Sequence, residues 1–165
     1  MPLINIIVGG QGTGKTSFTK KSAEKMNRVV ILDVNNEYKD LEQRGAKRIT
    51  KDFRQSLENV KELNGISLIV EEATIFFSNR KHDENLLEMI IRKRHQNNNI
   101  FLIYHSLTDI PDYLLRISDY LILFKTKDNS VKIDQKYANT EIRKAYYTQR
   151  NRKEKFTPTI IKLMQ

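Results

Sequence analysis

The run Gly9-Gly10-Gln11-Gly12-Thr13-Gly14-Lys15-Thr16 satisfies the spacing G-x-x-x-x-G-K-[ST] at every fixed position. Glycines at these places let the backbone curl with its N–H groups pointing inward, in conformations closed to residues that carry a Cβ. Such a cradle holds a β-phosphate. Lys15 can bridge β- and γ-phosphate oxygens, and the Thr16 hydroxyl can ligate Mg²⁺. Gly10, Gln11, Gly12, Thr13, Gly14, Lys15 and Thr16, running on to Ser17, are therefore the expected nucleotide-binding residues. A helix opening at this point adds a positive end for the phosphates. ATP with Mg²⁺ is the expected ligand pair.

Two further sets of residues could act on that triphosphate. Glu71 and Glu72 close the apolar run Ile-Ser-Leu-Ile-Val. Adjacent carboxylates at a strand's end can divide the work: Glu71 holds the metal with Thr16, and Glu72 polarises the attacking water. Tyr104-His105-Ser106 ends another apolar run. If that strand lies between those carrying the cradle and the acids, His105 or Ser106 reaches the γ-phosphate as a sensor. His82, His95 and His105 lack metal-ligand spacing, so no protein zinc site is expected.

These residues need a scaffold that aligns strand ends, and apolar runs alternating with helical patterns provide one. Strands are expected at Leu3–Val8, Val29–Leu32, Ile66–Val70, Ile100–Tyr104 and Tyr120–Phe124. Helices are expected from about Thr16 to Met26, over 52–64 with Asp52 as N-cap and Gly65 at the C-cap, and from Asp83 to Gln96. In the last of these, Leu86, Leu87, Ile90 and Ile91 share one face. Beyond Lys125 the pattern weakens to a short strand at Val131–Ile133, a helix around Thr140–Tyr147 and an apolar end at Thr159–Met164. The expected fold is α/β, a three-layer P-loop sandwich of the RecA/ASCE-like kind with a mainly parallel central sheet. Residues 1–125 form its ATPase core and 126–165 a basic extension of the same domain. Tyr38, Tyr104, Tyr113 and Tyr120 read as core or boundary residues.

Composition narrows the function classes. The 165 residues suit one domain, and the absence of cysteine excludes disulfides, thiolate metal sites and a cysteine nucleophile. No leader peptide is evident, and no apolar run approaches the ~18 residues that span a bilayer. Lys and Arg number 29 against 20 acids, a net charge of +9. From Lys125 onward 11 basic residues face 4 acids. A polyanion, nucleic acid first, is the expected partner. Arg143, Lys144, Arg150, Arg152, Lys153 and Lys155, with Tyr146 and Tyr147 interleaved, offer charge and stacking surface.

The cradle, Asp33-Val34-Asn35-Asn36-Glu37-Tyr38, the Glu71-Glu72 strand, Arg92-Lys93-Arg94-His95-Gln96, His105-Ser106-Leu107-Thr108-Asp109-Ile110-Pro111 and Ser118-Asp119-Tyr120 follow one another as in the FtsK–HerA superfamily. Over about residues 3–125 the chain resembles that family of DNA-pumping ATPases, its small viral genome-packaging members above all. One departure is His105-Ser106, where the family has Gln followed by Arg. The resemblance implies ATP hydrolysis, double-stranded DNA as partner, a homo-oligomeric ring (six subunits in the family), a capsid or portal partner, and a location in host cytoplasm or virion. It also implies an arginine supplied to the neighbouring subunit's site. About 12 residues at 1.5 Å each carry Arg92 and Arg94 ~18 Å from the helix start, beyond reach of their own cradle. Arg94 follows the apolar stripe and Arg92 points away, so Arg94 is the first candidate finger, Arg92 the second and Arg80 a third.

Other P-loop classes leave different marks. A small-metabolite or nucleoside kinase would need a pocket after the second strand, where Asp33 and Glu37 stand, but should avoid a water-activating Glu72. No Asp-x-x-Gly follows the third strand and no guanine motif is present, against a GTPase. A phage assembly or export ATPase remains, although those relatives normally carry a membrane segment.

Overall fold

The computed structural model describes residues 1–154 and 156–163; Lys155 and Met164, named above in the basic set and the apolar end, lie outside the described residues. The strands are β1 (Ile4–Val8), β2 (Val29–Leu32), β3 (Lys47–Ile49), β4 (Ser67–Val70), β5 (Phe77–Ser78), β6 (Lys81–His82), β7 (Asn99–Tyr104), β8 (Tyr120–Leu123) and β9 (Thr159–Lys162). Seven of them form one sheet in the order β3-β2-β4-β7-β1-β8-β9, and β5 and β6 form a small antiparallel hairpin. All pairings within the large sheet are parallel except that of β9 with β8.

Alternate residues of each strand feed opposite faces, the period-2 rule of extended chain. Ile6, Val8, Leu68, Leu102 and Leu121 pack on one side, and Ile7, Ile69, Ile103 and Ile122 on the other. Because both faces are covered, the strands read as unbroken apolar runs. Helices α1 (Lys15–Ala23) and α2 (Lys39–Gln43) cover the second face. Helices α3 (Phe53–Val60), α4 (Glu84–Gln96), α5 (Asp112–Ile117), α6 (Ser130–Lys136) and α7 (Glu141–Asn151) cover the first. The result is a three-layer α/β sandwich. Each fully buried Leu or Ile contributes about 1.5–3 kcal/mol through burial.

The five apolar strands are all present, and the differences lie where short-range cues compete. Val131–Ile133 is helix, not strand: Asn129 Oδ1 accepts from the backbone N–H groups of Val131 (2.9 Å) and Lys132 (3.4 Å), a cap that outweighs two β-branched residues. Asp52 precedes α3 but does not cap it; its φ of 52° is left-handed and its side chain makes no cap bond. That helix ends at Val60, and Gly65 lies beyond it, donating to the Gln96 carbonyl at 2.8 Å. The buried face of α4 is Leu86, Met89, Ile90, Lys93 and Gln96, so the expected stripe is rotated and Ile91 is 69% exposed. Edge strand β3, short α2 and the β5–β6 hairpin carry too few apolar residues to announce themselves. The apolar C-terminal run supplies β9, paired with β8 from Thr159–Leu123 to Lys162–Tyr120. Ile133, Tyr137, Ile142, Ala145 and Tyr146 from the region after residue 125 join the main core.

Candidate functional site

The loop between β1 and α1 is seated on two neighbouring strand ends. Gly9 donates its N–H to the Tyr104 carbonyl at 3.2 Å, and Gly10 donates to the Lys125 carbonyl at 2.8 Å. Side-chain-free backbone is required here: a Cβ on Gly9 would fall 2.6 Å from Phe124 Cβ, and Gly12 and Gly14 have φ of 70° and 95°. Thr13 Oγ1 donates to the Gly10 carbonyl at 2.8 Å and closes the curl.

Lys15, 6% exposed, points back into this loop. Its ammonium donates to the Gly9 and Gly10 carbonyls at 2.6 and 3.1 Å and lies 3.2 Å from His105 Nδ1. Burial lowers its pKa, while the charges of Glu71, Glu72 and Glu37 oppose that shift. A cation held among carbonyls, with acids acting only through space, is poised for an anion. Thr16 Oγ1 donates to Glu37 Oε2 at 2.7 Å.

Strand β7 lies between β4 and β1, which sets its tip between the two acids and the loop. Glu71, 2% exposed, accepts from the Tyr38 hydroxyl at 2.8 Å. Burial raises its pKa, and the Tyr38 bond and Lys15 work against that. Tyr38, expected only as a core residue, is thus the partner that orients Glu71. Glu72 has a left-handed φ of 52°. Its carboxylate accepts from Asn35 Nδ2 at 3.1 Å and contacts His105 Nε2. His105 therefore bridges Lys15 and Glu72. Ligand atoms of Glu71, Glu72 and His105 lie within 4.8 Å of one another, close enough to share a cation. Primary spacing could not reveal this cluster because strand pairing assembles it. Two carboxylates, that of Glu71 buried and that of Glu72 half-buried, supply oxygens that suit a hard divalent cation.

The remaining candidates lie elsewhere. Ser106 is tied to Thr108 and Asp128, whose carboxylate also accepts from the Leu107 and Thr108 N–H groups at 2.9 and 3.3 Å, so Ser106 fixes a loop. Asp33 is fully buried and accepts from the N–H groups of Glu37 (2.9 Å) and Tyr38 (3.0 Å) and from Arg48 (3.2 Å). It builds the β2–α2 turn, which removes the acid a kinase pocket would have used. Arg92 pairs with Glu88 at 2.9 Å. Arg94 is exposed beside Ile4, Ile91 and Arg116 at the strands' N-terminal edge, and the buried stripe of α4 runs on through Lys93 and Gln96, not Arg94. Arg80 is exposed in the β5–β6 turn; that hairpin sits at the opposite edge, where Tyr104 Oη donates to the Phe77 carbonyl at 3.3 Å. Tyr146 is 2% exposed and donates to the Asp128 carbonyl at 2.8 Å, so it offers no stacking face. Arg143 and Lys144 pair with Asp134 and Glu141.

The fold is shared with solved structures. The genome packaging NTPase B204 from Sulfolobus turreted icosahedral virus 2, in complex with ATP-gammaS, matches with a TM-score of 0.74 and 20% identity over 98% of this chain and 92% of that chain. The DNA-packaging ATPase B204 from Sulfolobus Turreted Icosahedral Virus matches at 0.69 and 18%, covering 99% of each. The N-terminal domain of zonular occludens toxin from Neisseria meningitidis matches at 0.55 and 16%, over 82% of this chain and 90% of that one. No curated protein sequence matches. Residues 5–124, from β1 to the residue after β8, match the model of the ATPase family associated with various cellular activities (AAA), and the chain belongs to that family of P-loop ATPases.

Proposed function

We propose that the protein hydrolyses ATP with Mg²⁺ and uses the energy to move double-stranded DNA into a viral capsid, as a ring motor of the FtsK–HerA kind. The observation that carries this reading is the convergence of Lys15, Glu72 and His105 at one strand edge, with Glu71 beside them. Lys15 leaves the Gly9 and Gly10 carbonyls for β- and γ-phosphate oxygens and neutralises charge there. Glu72 orients a water and accepts its proton as the water oxygen bonds to the γ-phosphorus and the bond to the β-phosphate's bridging oxygen breaks. Asn35 and His105 hold Glu72 in place beforehand, and His105, touching both Lys15 and Glu72, registers whether the γ-phosphate is present. Thr16 and Glu71 would hold Mg²⁺, which adds charge stabilisation at the phosphates.

Arg94, exposed about 15 Å along α4 from its start, serves the adjoining subunit's triphosphate. The net charge of +9 supports a polyanionic track, and the packaging NTPases that share the fold support DNA as that track. A portal or capsid protein is the docking partner. The fate of Asp33, buried in a turn, disfavours the kinase reading.

The test is ATP turnover with and without double-stranded DNA. DNA should stimulate the wild-type protein, and Glu72→Gln should lower turnover by about 10²–10⁴-fold while ATP still binds. Turnover that appears only with a small phosphoryl acceptor would replace the motor with a kinase. DNA affinity should fall steeply with salt.

A further inference from the structure

Phe156 is 70% exposed, the largest exposure of any aromatic side chain among the described residues. It does not stand on open surface. Its ring lines the same cleft as Gly14, Lys15 and Ser17, a space of about 480 Å³ within the range of roughly 300–1,000 Å³ typical of small-molecule sites. The contact with the loop is close: a Cβ on Gly14 would come within 3.0 Å of Phe156 Cδ1. Nor is the segment loosely attached. Gln149 Nε2 at the end of α7 donates to the Thr157 carbonyl at 3.0 Å and to Thr159 Oγ1 at 2.8 Å, and Arg152 donates to the same carbonyl at 3.1 Å. Gln149 is itself buried. The phenyl ring is therefore delivered to the cleft by backbone anchored on both α7 and β9.

We propose that Phe156 is the stacking platform for the base of the bound nucleotide, so that the chain's C-terminal segment completes a site whose phosphate end lies in the β1–α1 loop. The inference rests on the nucleotide reading above and deepens it. An apolar ring costs free energy in water and gains it under a flat π-face, and every nucleobase offers one. Stacking selects by overlap area, so purines should bind more tightly than pyrimidines, with adenine and guanine little separated by this ring alone.

The chain contains no tryptophan, so Phe156→Trp places a single tryptophan at the site, excitable at wavelengths longer than the seven tyrosines absorb. ATP and GTP should change its emission strongly, CTP less, and inorganic tripolyphosphate little. By calorimetry Phe156→Ala should weaken ATP about 5- to 100-fold, and Phe156→Tyr should restore most of the loss. Tripolyphosphate should bind wild type and Phe156→Ala alike. Equal ATP affinity for wild type and Phe156→Ala, or equal emission changes with ATP and tripolyphosphate, would overturn the platform and leave the phosphate cradle standing. Loss of self-association in Phe156→Ala with ATP affinity intact would reassign the ring to a subunit contact. Failure of wild type to bind either ligand would overturn the cradle and the platform together.

Discussion

Two lysines are equally hidden in this protein, Lys15 and Lys93, each 6% exposed, and they stand at opposite edges of the same sheet. At the N-terminal edge Lys93 donates to Asp119 Oδ2 at 2.6 Å, and that carboxylate also accepts the Ile4 N–H at 2.7 Å. Its neighbours are equally settled: Asn98 Oδ1 accepts from Ile66 N–H and Asn98 Nδ2 donates to the Leu63 carbonyl, both at 3.0 Å. At the C-terminal edge Lys15 has carbonyls and an imidazole for partners, and Glu71 and Glu72 are bonded to Tyr38, Asn35 and His105 instead. One edge has compensated its buried charge and serves the fold. On the function proposed above, the other holds its charge for a ligand to complete.

The contrast can be broken at several points. The largest expected effect comes from Arg94, an N-edge residue assigned to a neighbour's chemistry: Arg94→Ala should lower turnover about 10³-fold while ATP still binds. Mixing it with Lys15→Ala subunits should recover part of the activity, and no recovery would return Arg94 to its own surface. Next is Lys93→Ala, which takes the buried ammonium away from Asp119 and should destabilise the fold by about 3 kcal/mol in denaturant titrations, leaving ATP affinity of the folded protein unchanged. Asn35→Ala should loosen Glu72 and reduce turnover about tenfold, with ATP affinity intact; a loss of affinity instead would place Asn35 on the nucleotide.

The smallest effect sharpens the comparison through pH. Burial holds the Lys15 pKa below the ordinary 10.5. A lysine depressed in the folded state contributes stability that is present above its unfolded pKa and lost as pH falls through the folded one. Without nucleotide, wild type should therefore lose stability as pH drops from about 10.5, and Lys15→Met should flatten that decline and gain about 1 kcal/mol near neutrality. A decline that Lys15→Met leaves unchanged would remove Lys15 as its cause.

Much of this site is legible without coordinates because its signals are local. The cradle is a contiguous run whose glycines answer to φ values within the same run, and Glu71 and Glu72 announce themselves by ending an apolar strand. The helix start at Asp83 is legible because the N–H that its side chain satisfies, that of Leu86, is three residues away at 3.0 Å. The readings that fail depend on which way a face turns. Leu87, Ile91 and Arg94 look like a buried stripe by spacing, yet α4 turns Met89, Lys93 and Gln96 inward because Asp119 and the Lys61 carbonyl wait there. Tyr146 looks like a stacking residue until its hydroxyl is found on Asp128.

Local order alone thus determines that a triphosphate-binding loop opens a helix, that two acids close a later strand, and that five apolar strands need covering on both faces. Backbone dihedrals and residue-by-residue polarity act over a few positions, and they are written in the chain. The tertiary structure alone decides that residues 15, 72 and 105 meet, that Tyr38 and Asn35 orient the acids, and that Phe156 returns from the far end of the chain to the mouth of the cleft. Strand order across a parallel sheet is a matter of long-range pairing, and no short window of sequence contains both partners.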